Sequence, residues 1–285
     1  MPETASEATP EFAPTATGTS EPVSAAGTPI PLEQGEMLGY FNNDVAIFDQ
    51  QGGATPLGLA ETFIYFSGLT WSPDGSQFVF SACHTDDAAD QNPSADQNPF
   101  SDLSECSNDL YVADRDGSNV TALVHNPNAA LFFPAWSPDG EWIAFHDNSA
   151  VAIVRPDGTD ASVLVAGGNT CPQAMAWSPD SQRIAWLGEL GFCGTDESRD
   201  VWVVNRDGSR VETLFHSDDR NLAHQIAWSP DGEAVAVMTE GGVAYLINTD
   251  CSIQPGGCDE SSRTEIDAFP EHWLHTFYPQ WGGGE

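Results

Sequence analysis

Residues 132–165 read FFPAWSPDGEWIAFHDNSAVAIVRPDGTDASVLV, and the punctuation of this stretch decides the fold. Phe-Phe-Pro-Ala-Trp is a short apolar strand ending at Trp136. Ser137, Pro138, Asp139 and Gly140 follow it. Proline second and glycine fourth suit a type I turn, and the serine can bond back to the turn backbone. Residues 141–146, EWIAFH, form a second strand. Residues 150–165 then hold two β-rich runs around Pro156-Asp157-Gly158, the pattern of a hairpin. The stretch predicts four antiparallel strands, a to d from the inside outward.

The unit recurs. Trp71, Trp136, Trp177 and Trp228 each precede Ser-Pro-Asp, at spacings of 65, 41 and 51 residues, and Trp281 stands 53 further on. A 41-residue period is that of a four-stranded propeller blade, and the longer spacings read as blades with loop insertions. After Trp71 come SQFVFSAC and DLYVADRDGSNVTALV; after Trp177 come SQRIAWLG and DVWVVNRDGSRVETLF. No run with helical period is predicted. Two pieces are incomplete. Residues 37–60, MLGYFNNDVAIFDQQGGATPLGLA, offer strands b to d with no Trp-bearing strand a ahead of them. Residues 275–285, HTFYPQWGGGE, offer a strand a with nothing after it. Together they predict a fifth blade. The expected fold is all-β, a five-bladed propeller closed by strands from both chain ends, which leaves no open sheet edge between blades.

WSPDG followed by Ile-Ala-Phe, and then by a β-run ending in Asp-Gly, resembles the TolB-like, WD40-like β-propeller repeat over residues 37–285. The resemblance implies a periplasmic or otherwise extracytoplasmic protein that binds partner proteins through its propeller. That family's best-known member carries a second, α/β domain, of which this sequence shows no sign. Propellers serve binding and catalysis alike, so the repeat speaks for fold more than for function.

Composition bounds the partners. There are 43 acidic residues against 8 basic ones, a formal net charge of −35, and all 8 basic residues are arginine. Phosphate backbones and anionic headgroups are bound through Lys and Arg, so neither nucleic acid nor an anionic membrane surface is an expected partner. No apolar run reaches the length of a transmembrane span. Residues 1–36 are rich in Pro, Thr, Ala, Ser and Glu without hydrophobic period, and are read as a disordered tether ahead of the propeller domain at 37–285. No cationic leader is read, because the first Arg is residue 115. A lipid anchor lost with a removed signal fits such a tether, as does a monomer or a component of an envelope assembly.

Six cysteines in an extracytoplasmic chain suggest disulfides. Cys83 and Cys106 flank one b–c loop. Cys171 precedes strand a and Cys193 follows strand b of one blade, and those connections share a propeller face. Cys251 and Cys258 lie in one c–d loop on the opposite face. The blade map therefore predicts the pairs 83–106, 171–193 and 251–258. Metal binding is the rival reading, but no Cys-x-x-Cys pair supports it.

No nucleophile elbow and no phosphate loop is present. The Asp residues of the Ser-Pro-Asp turns and of the Asp-Gly hairpins are explained by turn chemistry. Attention falls instead on positions that differ between blades. Four residues before each marker Trp stand Ser67, Phe132, Gln173, His224 and Phe277. Three before stand Gly68, Phe133, Ala174, Gln225 and Tyr278, with His275 just upstream. Such variation is read here as serving something other than the common blade. Phe132, Phe133, Gln173, His224, Gln225, His275, Phe277 and Tyr278 are the candidate ligand-binding residues of a concave channel mouth. Ordinary packing of the funnel wall is the alternative. The expected function is a non-catalytic module presenting this face to a protein, peptide or glycan, with no cofactor. The second reading is a propeller hydrolase or lyase acting on a polysaccharide, its acid–base or metal groups drawn from His84, His146, His224 and His275 near the same mouth.

Overall fold

The computed structural model describes residues 36–49, 51–85, 108–126, 130–147, 150–166, 174–188, 200–215, 222–239, 244–250, 263–266 and 281–282. The first strands are β1 (Glu36–Phe41), β2 (Asp44–Phe48) and β3 (Ala54–Pro56), followed by a single 3-10 turn at Leu59–Glu61. The next four are β4 (Phe63–Trp71), β5 (Gln77–His84), β6 (Asp109–Asp114) and β7 (Thr121–Val124). Then come β8 (Leu131–Trp136), β9 (Ile143–Asp147), β10 (Ala150–Val154) and β11 (Ser162–Val165). The fourth group is β12 (Ala174–Trp177), β13 (Arg183–Gly188), β14 (Asp200–Asn205) and β15 (Glu212–Phe215). The last strands are β16 (Leu222–Trp228), β17 (Ala234–Thr239), β18 (Ala244–Asn248), β19 (Arg263–Ile266) and β20 (Trp281–Gly282).

They form five four-stranded antiparallel sheets. Four follow chain order: β4 to β7, β8 to β11, β12 to β15 and β16 to β19. The fifth has the order β20-β1-β2-β3 and so joins strands from both ends of the described chain, with Met37 opposite Trp281 and Glu36 opposite Gly282. The four strands expected from residues 132–165 are β8 to β11, paired as neighbours.

The middle strands of the three central sheets are apolar at consecutive positions because both faces of those sheets are covered. Successive side chains of a strand point to opposite faces. In β10, Ala152 and Val154 join a core with Val79, Leu110 and Val112 of the preceding sheet, whereas Val151 and Ile153 join a core with Ile184 and Trp186 of the following one. Two further cores bring Leu38 and Val45 against Phe63, Phe78 and Phe80, and Leu187 and Val201 against Val235 and Ile247. Four apolar layers thus join the five sheets in sequence order.

The Ser-Pro-Asp turn is a hydrogen-bond unit built on a buried serine. Ser137 is fully buried. Its Oγ donates to Asp139 at 2.6 Å and accepts from the Trp142 N–H at 2.9 Å, while Asp139 also accepts from the Glu141 N–H. Ser72, Ser178 and Ser229 repeat the arrangement with Asp74, Asp180 and Asp231. Ser137→Ala should cost about 1–3 kcal/mol, because it leaves a buried N–H without its acceptor; a denaturant titration measures this directly. In the one turn that lacks glycine, Ser181 takes a left-handed φ of 57°. Its hydroxyl accepts from the Asp139 N–H of the neighbouring sheet at 3.0 Å, so the departure from glycine provides a bond between blades.

The hairpin turns hold a second set of aspartates. Asp116, Asp157 and Asp207 lie below the usual carboxylate value of 3.8, first because Ser118, Thr159 and Ser209 each donate a hydroxyl to them. Asp231 is lowered chiefly by Ser229. In Asp74 and Asp180 desolvation is the largest single influence and raises the pKa, but several hydrogen bonds together outweigh it. A carboxylate with a depressed folded pKa adds stability above its unfolded pKa and loses it as pH falls through the folded value. The unfolding midpoint should therefore carry an acid-labile component below about pH 4. Replacing Ser118, Thr159 and Ser209 together by Ala should shallow the dependence of the midpoint on pH in that range, and an unchanged slope would exclude these turns as its source.

Candidate functional site

A concave groove of about 870 Å³ opens between the β1–β2 hairpin and the beginning of β4. Connections from strand b to c and from d to a meet on this side, the side that the sequence assigns to the channel mouth. The groove's floor is Phe63, buried in a tight aromatic set: its ring centroid lies 4.7 Å from Tyr111, 5.4 Å from Phe80 and 5.4 Å from His84. Its walls are Tyr40, Tyr65 and Phe66, and its rim carries Asn42 and Asn43. Tyr40 is 49% exposed and Tyr65 43%, with Phe41 beside the rim at 40%. These are the exposed large aromatic residues among the described ones.

Local chemistry explains the shape. Asn42 and Asn43 have φ of 51° and 65° and form the two-residue turn between β1 and β2. Successive left-handed residues are what a hairpin of this kind requires, and asparagine tolerates them. Asp44 follows, 7% exposed. Its carboxylate accepts from the N–H groups of Val45 at 2.9 Å, Gly58 at 2.7 Å and Ala60 at 3.0 Å. That one side chain fastens the hairpin to the connection leading into β4. Tyr65 has φ 55° within β4, where the pairing with β5 slips between Ile64 and Ser67 and again between Ser67 and Leu69. A bulge re-aims a side chain, and here it holds Tyr65 outward. The backbone carbonyl of Tyr65 accepts from the Asn108 amide at 3.3 Å.

Burial pushes the Tyr40 hydroxyl up to about 12, while a hydrogen bond with the Gly68 backbone pulls the other way. Tyr40 is thus half exposed as a residue while the hydrogen bond with the Gly68 backbone holds its hydroxyl end at β4. Gly68 has φ 68°, and a Cβ there would sit 2.7 Å from Pro134 Cδ and 3.3 Å from the Phe133 Cα. The position three before Trp71 is therefore set by close approach of neighbouring sheets. At this one position the residue type serves the packing of neighbouring blades. Phe133, at the same offset from Trp136, also has a positive φ, 52°, at a slip in the β8–β9 pairing. A bulky residue rarely adopts that conformation.

Of the residues singled out from sequence, Phe132 and Phe133 are half-buried in β8, their rings 6.1 Å apart, and Phe132 lies 6.4 Å from the ring of His146. Phe133 packs into the core between the third and fourth sheets, and its backbone lies close to Gly68 of β4. His224 and Gln225 fall within β16, but their side chains lie outside the described residues. Gln173, His275, Phe277 and Tyr278 also lie outside them. Cys83 is disulfide-bonded. The other cysteines of the three expected pairs, Cys106, Cys171, Cys193, Cys251 and Cys258, lie outside the described residues. His84 and His146 occupy the ends of β5 and β9, opposite Phe63 and Phe132. Among the described residues no three His, Cys, Asp or Glu side chains are grouped to hold a metal, and no helix is long and apolar enough to cross a membrane.

The fixed offsets from tryptophan miss the groove. Its residues come from farther up β4 and from the hairpin. The signals were the aromatic run FIYF at 63–66 and the double asparagine in YFNND at 40–44.

No family model and no curated protein matches the chain, so the TolB-like likeness rests on the repeated motif. Solved structures do match. An oligogalacturonate lyase from Vibrio parahaemolyticus aligns with TM-score 0.57 at 14% identity over 81% of this chain and 61% of its own. An oligogalacturonate lyase in complex with manganese aligns with TM-score 0.56 at 14% identity, over 75% and 59%. A nidogen/laminin complex gives TM-score 0.56 at 13% identity, over 82% and 78%. The chain thus spans about three-fifths of the length of the lyases it matches. At this identity the likeness is one of fold: five four-stranded sheets in β-propeller architecture.

Proposed function

We propose that this chain is an extracytoplasmic binding module of TolB-like type, a closed five-bladed propeller on an N-terminal tether that ends at residue 35, Glu36 being the first residue of β1. The b–c and d–a face meets the ligand. The observation that carries the reading is the concave groove with exposed Tyr40 and Tyr65 and two exposed amides on that face. Solvent-exposed aromatic side chains gathered in a hollow are the usual makings of a recognition surface. Phe132, Phe133, Gln173, His224, Gln225, His275, Phe277 and Tyr278 extend the same mouth across the other blades. Disulfides 83–106 and 171–193 pin its loops, and 251–258 pins a loop on the far face. The β20–β1 pairing supports closure.

The test is a joint assay of the full chain for metal content, binding and turnover on a panel of glycans and peptides. Retention of a ligand without chain shortening is expected. Stoichiometric metal that is lost in a His224→Ala, His275→Ala double variant, together with turnover, would replace this reading with the hydrolase or lyase one.

A further inference from the structure

We propose that the groove between the β1–β2 hairpin and β4 takes a neutral oligosaccharide; this rests on the binding-module reading and names its ligand class. The chain carries 43 acidic and 8 basic residues, yet among the described residues none that lines the groove is charged. In so acidic a protein an uncharged hollow is a selective feature. Its contents are aromatic faces and side-chain amides. A pyranose ring has an apolar C–H face, which lies well on an open aromatic ring, and an edge of hydroxyls, which need donors and acceptors in the plane of the sugar. Tyr40 and Tyr65 supply the first, and Asn42 and Asn43 the second. The volume of about 870 Å³ suits a few sugar units in an open cleft.

The platform is also pre-ordered. Asp44 locks the hairpin through three backbone N–H groups, and the bulge in β4 holds Tyr65 out, at φ 55°. A ligand arriving there does not have to order the loops it touches, which removes one cost of binding. Charge decides which sugars are admitted. A polyuronate carries one carboxylate per unit and meets a net charge of −35, so like-charge repulsion works against it at every unit. A neutral chain pays no such penalty. A basic peptide would be attracted to the protein as a whole, but among the described residues that line the groove it finds no carboxylate to pair with.

Isothermal titration of the full chain at physiological salt tests this, with cellohexaose, maltohexaose and mannohexaose as neutral probes, hexagalacturonate as the anionic probe and an oligo-arginine peptide as the cationic one. At least one neutral hexasaccharide should bind with a sub-millimolar Kd. Tyr40→Ala and Tyr65→Ala should each weaken it by about tenfold or more, the loss expected for one stacked ring. Asn43→Gly keeps the left-handed turn and removes the amide, and should weaken binding about threefold or more. This variant also keeps the test alive if a tyrosine variant fails to fold. The proposal is overturned if no neutral probe binds, if hexagalacturonate or the peptide binds more tightly than all three, or if the folded variants bind like the parent. Binding of the anionic or cationic probe without turnover would leave the binding-module reading standing and remove only the neutral-sugar assignment.

Discussion

Removing residues 275–285 should lower the unfolding midpoint of the whole chain by roughly 10 °C or more, since a lost strand is worth several kcal/mol and each kcal/mol moves a domain of this size by about 2–4 °C. The deletion takes away β20, which pairs with β1 at Met37 and Glu36. β1 would then become an edge with unpaired N–H and C=O groups. The effect should not stay local. Leu38 and Val45 share a core with Phe63, Phe78 and Phe80 of the next sheet, and Glu36 is ion-paired with Arg115, whose guanidinium lies 5.0 Å over the Trp71 ring. Loosening β1 therefore loosens the second sheet. Calorimetry should show one cooperative transition at lower temperature. A midpoint within a few degrees of the parent would disprove the closed ring.

The second large effect is expected at a marker tryptophan. Trp228 is 1% exposed. Its Nε1–H donates to the Ala176 carbonyl of the preceding sheet at 3.1 Å, and Arg183 lies 4.5 Å over its ring. Trp177 reaches back in the same way, to the Ala135 carbonyl at 2.9 Å. Trp177 and Trp228 are thus pegs from one blade into the preceding one, whereas Trp136 donates to the Gly140 carbonyl of its own turn at 3.2 Å. Trp228→Ala should cost about 3–5 kcal/mol through the cavity it leaves. Trp228→Phe keeps most of the ring but strands a carbonyl, and should cost about 1–3 kcal/mol. Equilibrium unfolding in guanidinium separates the two: a Trp228→Phe variant as stable as the parent would show that the hydrogen bond contributes nothing, and equal losses in both variants would show that the ring's packing contributes nothing.

The strands were readable because their signals are local. Turn residues sit at fixed offsets from each tryptophan, and the apolar runs between them have the length of buried strands. The split sheet was readable too, since residues 37–60 lacked an inner strand that only the far end could supply. Phe132 and Phe133, half-buried in β8 and not in the groove's lining, were singled out by the same offsets. Tyr40, Asn42, Asn43, Tyr65 and Phe66 were not, because Tyr65 and Phe66 lie beyond or within two slips in the β4–β5 register and the other three come from the β1–β2 hairpin of another sheet. Asp44 looked like the first residue of a strand, and only the fold shows that its carboxylate is held by backbone 14 and 16 residues downstream.

The sequence by itself therefore determined the repeat, the number of sheets, the turn chemistry and the sign of the protein's charge. All of these follow from short-range spacing and from composition. The tertiary structure alone decided where the uncharged aromatic hollow lies, which glycine is required by a neighbouring sheet, and which tryptophans bind one blade to the next. Those features depend on bulges and on side chains brought together from separate strands. The energy of such contacts is set by distances between sheets, and no spacing along a single strand records them.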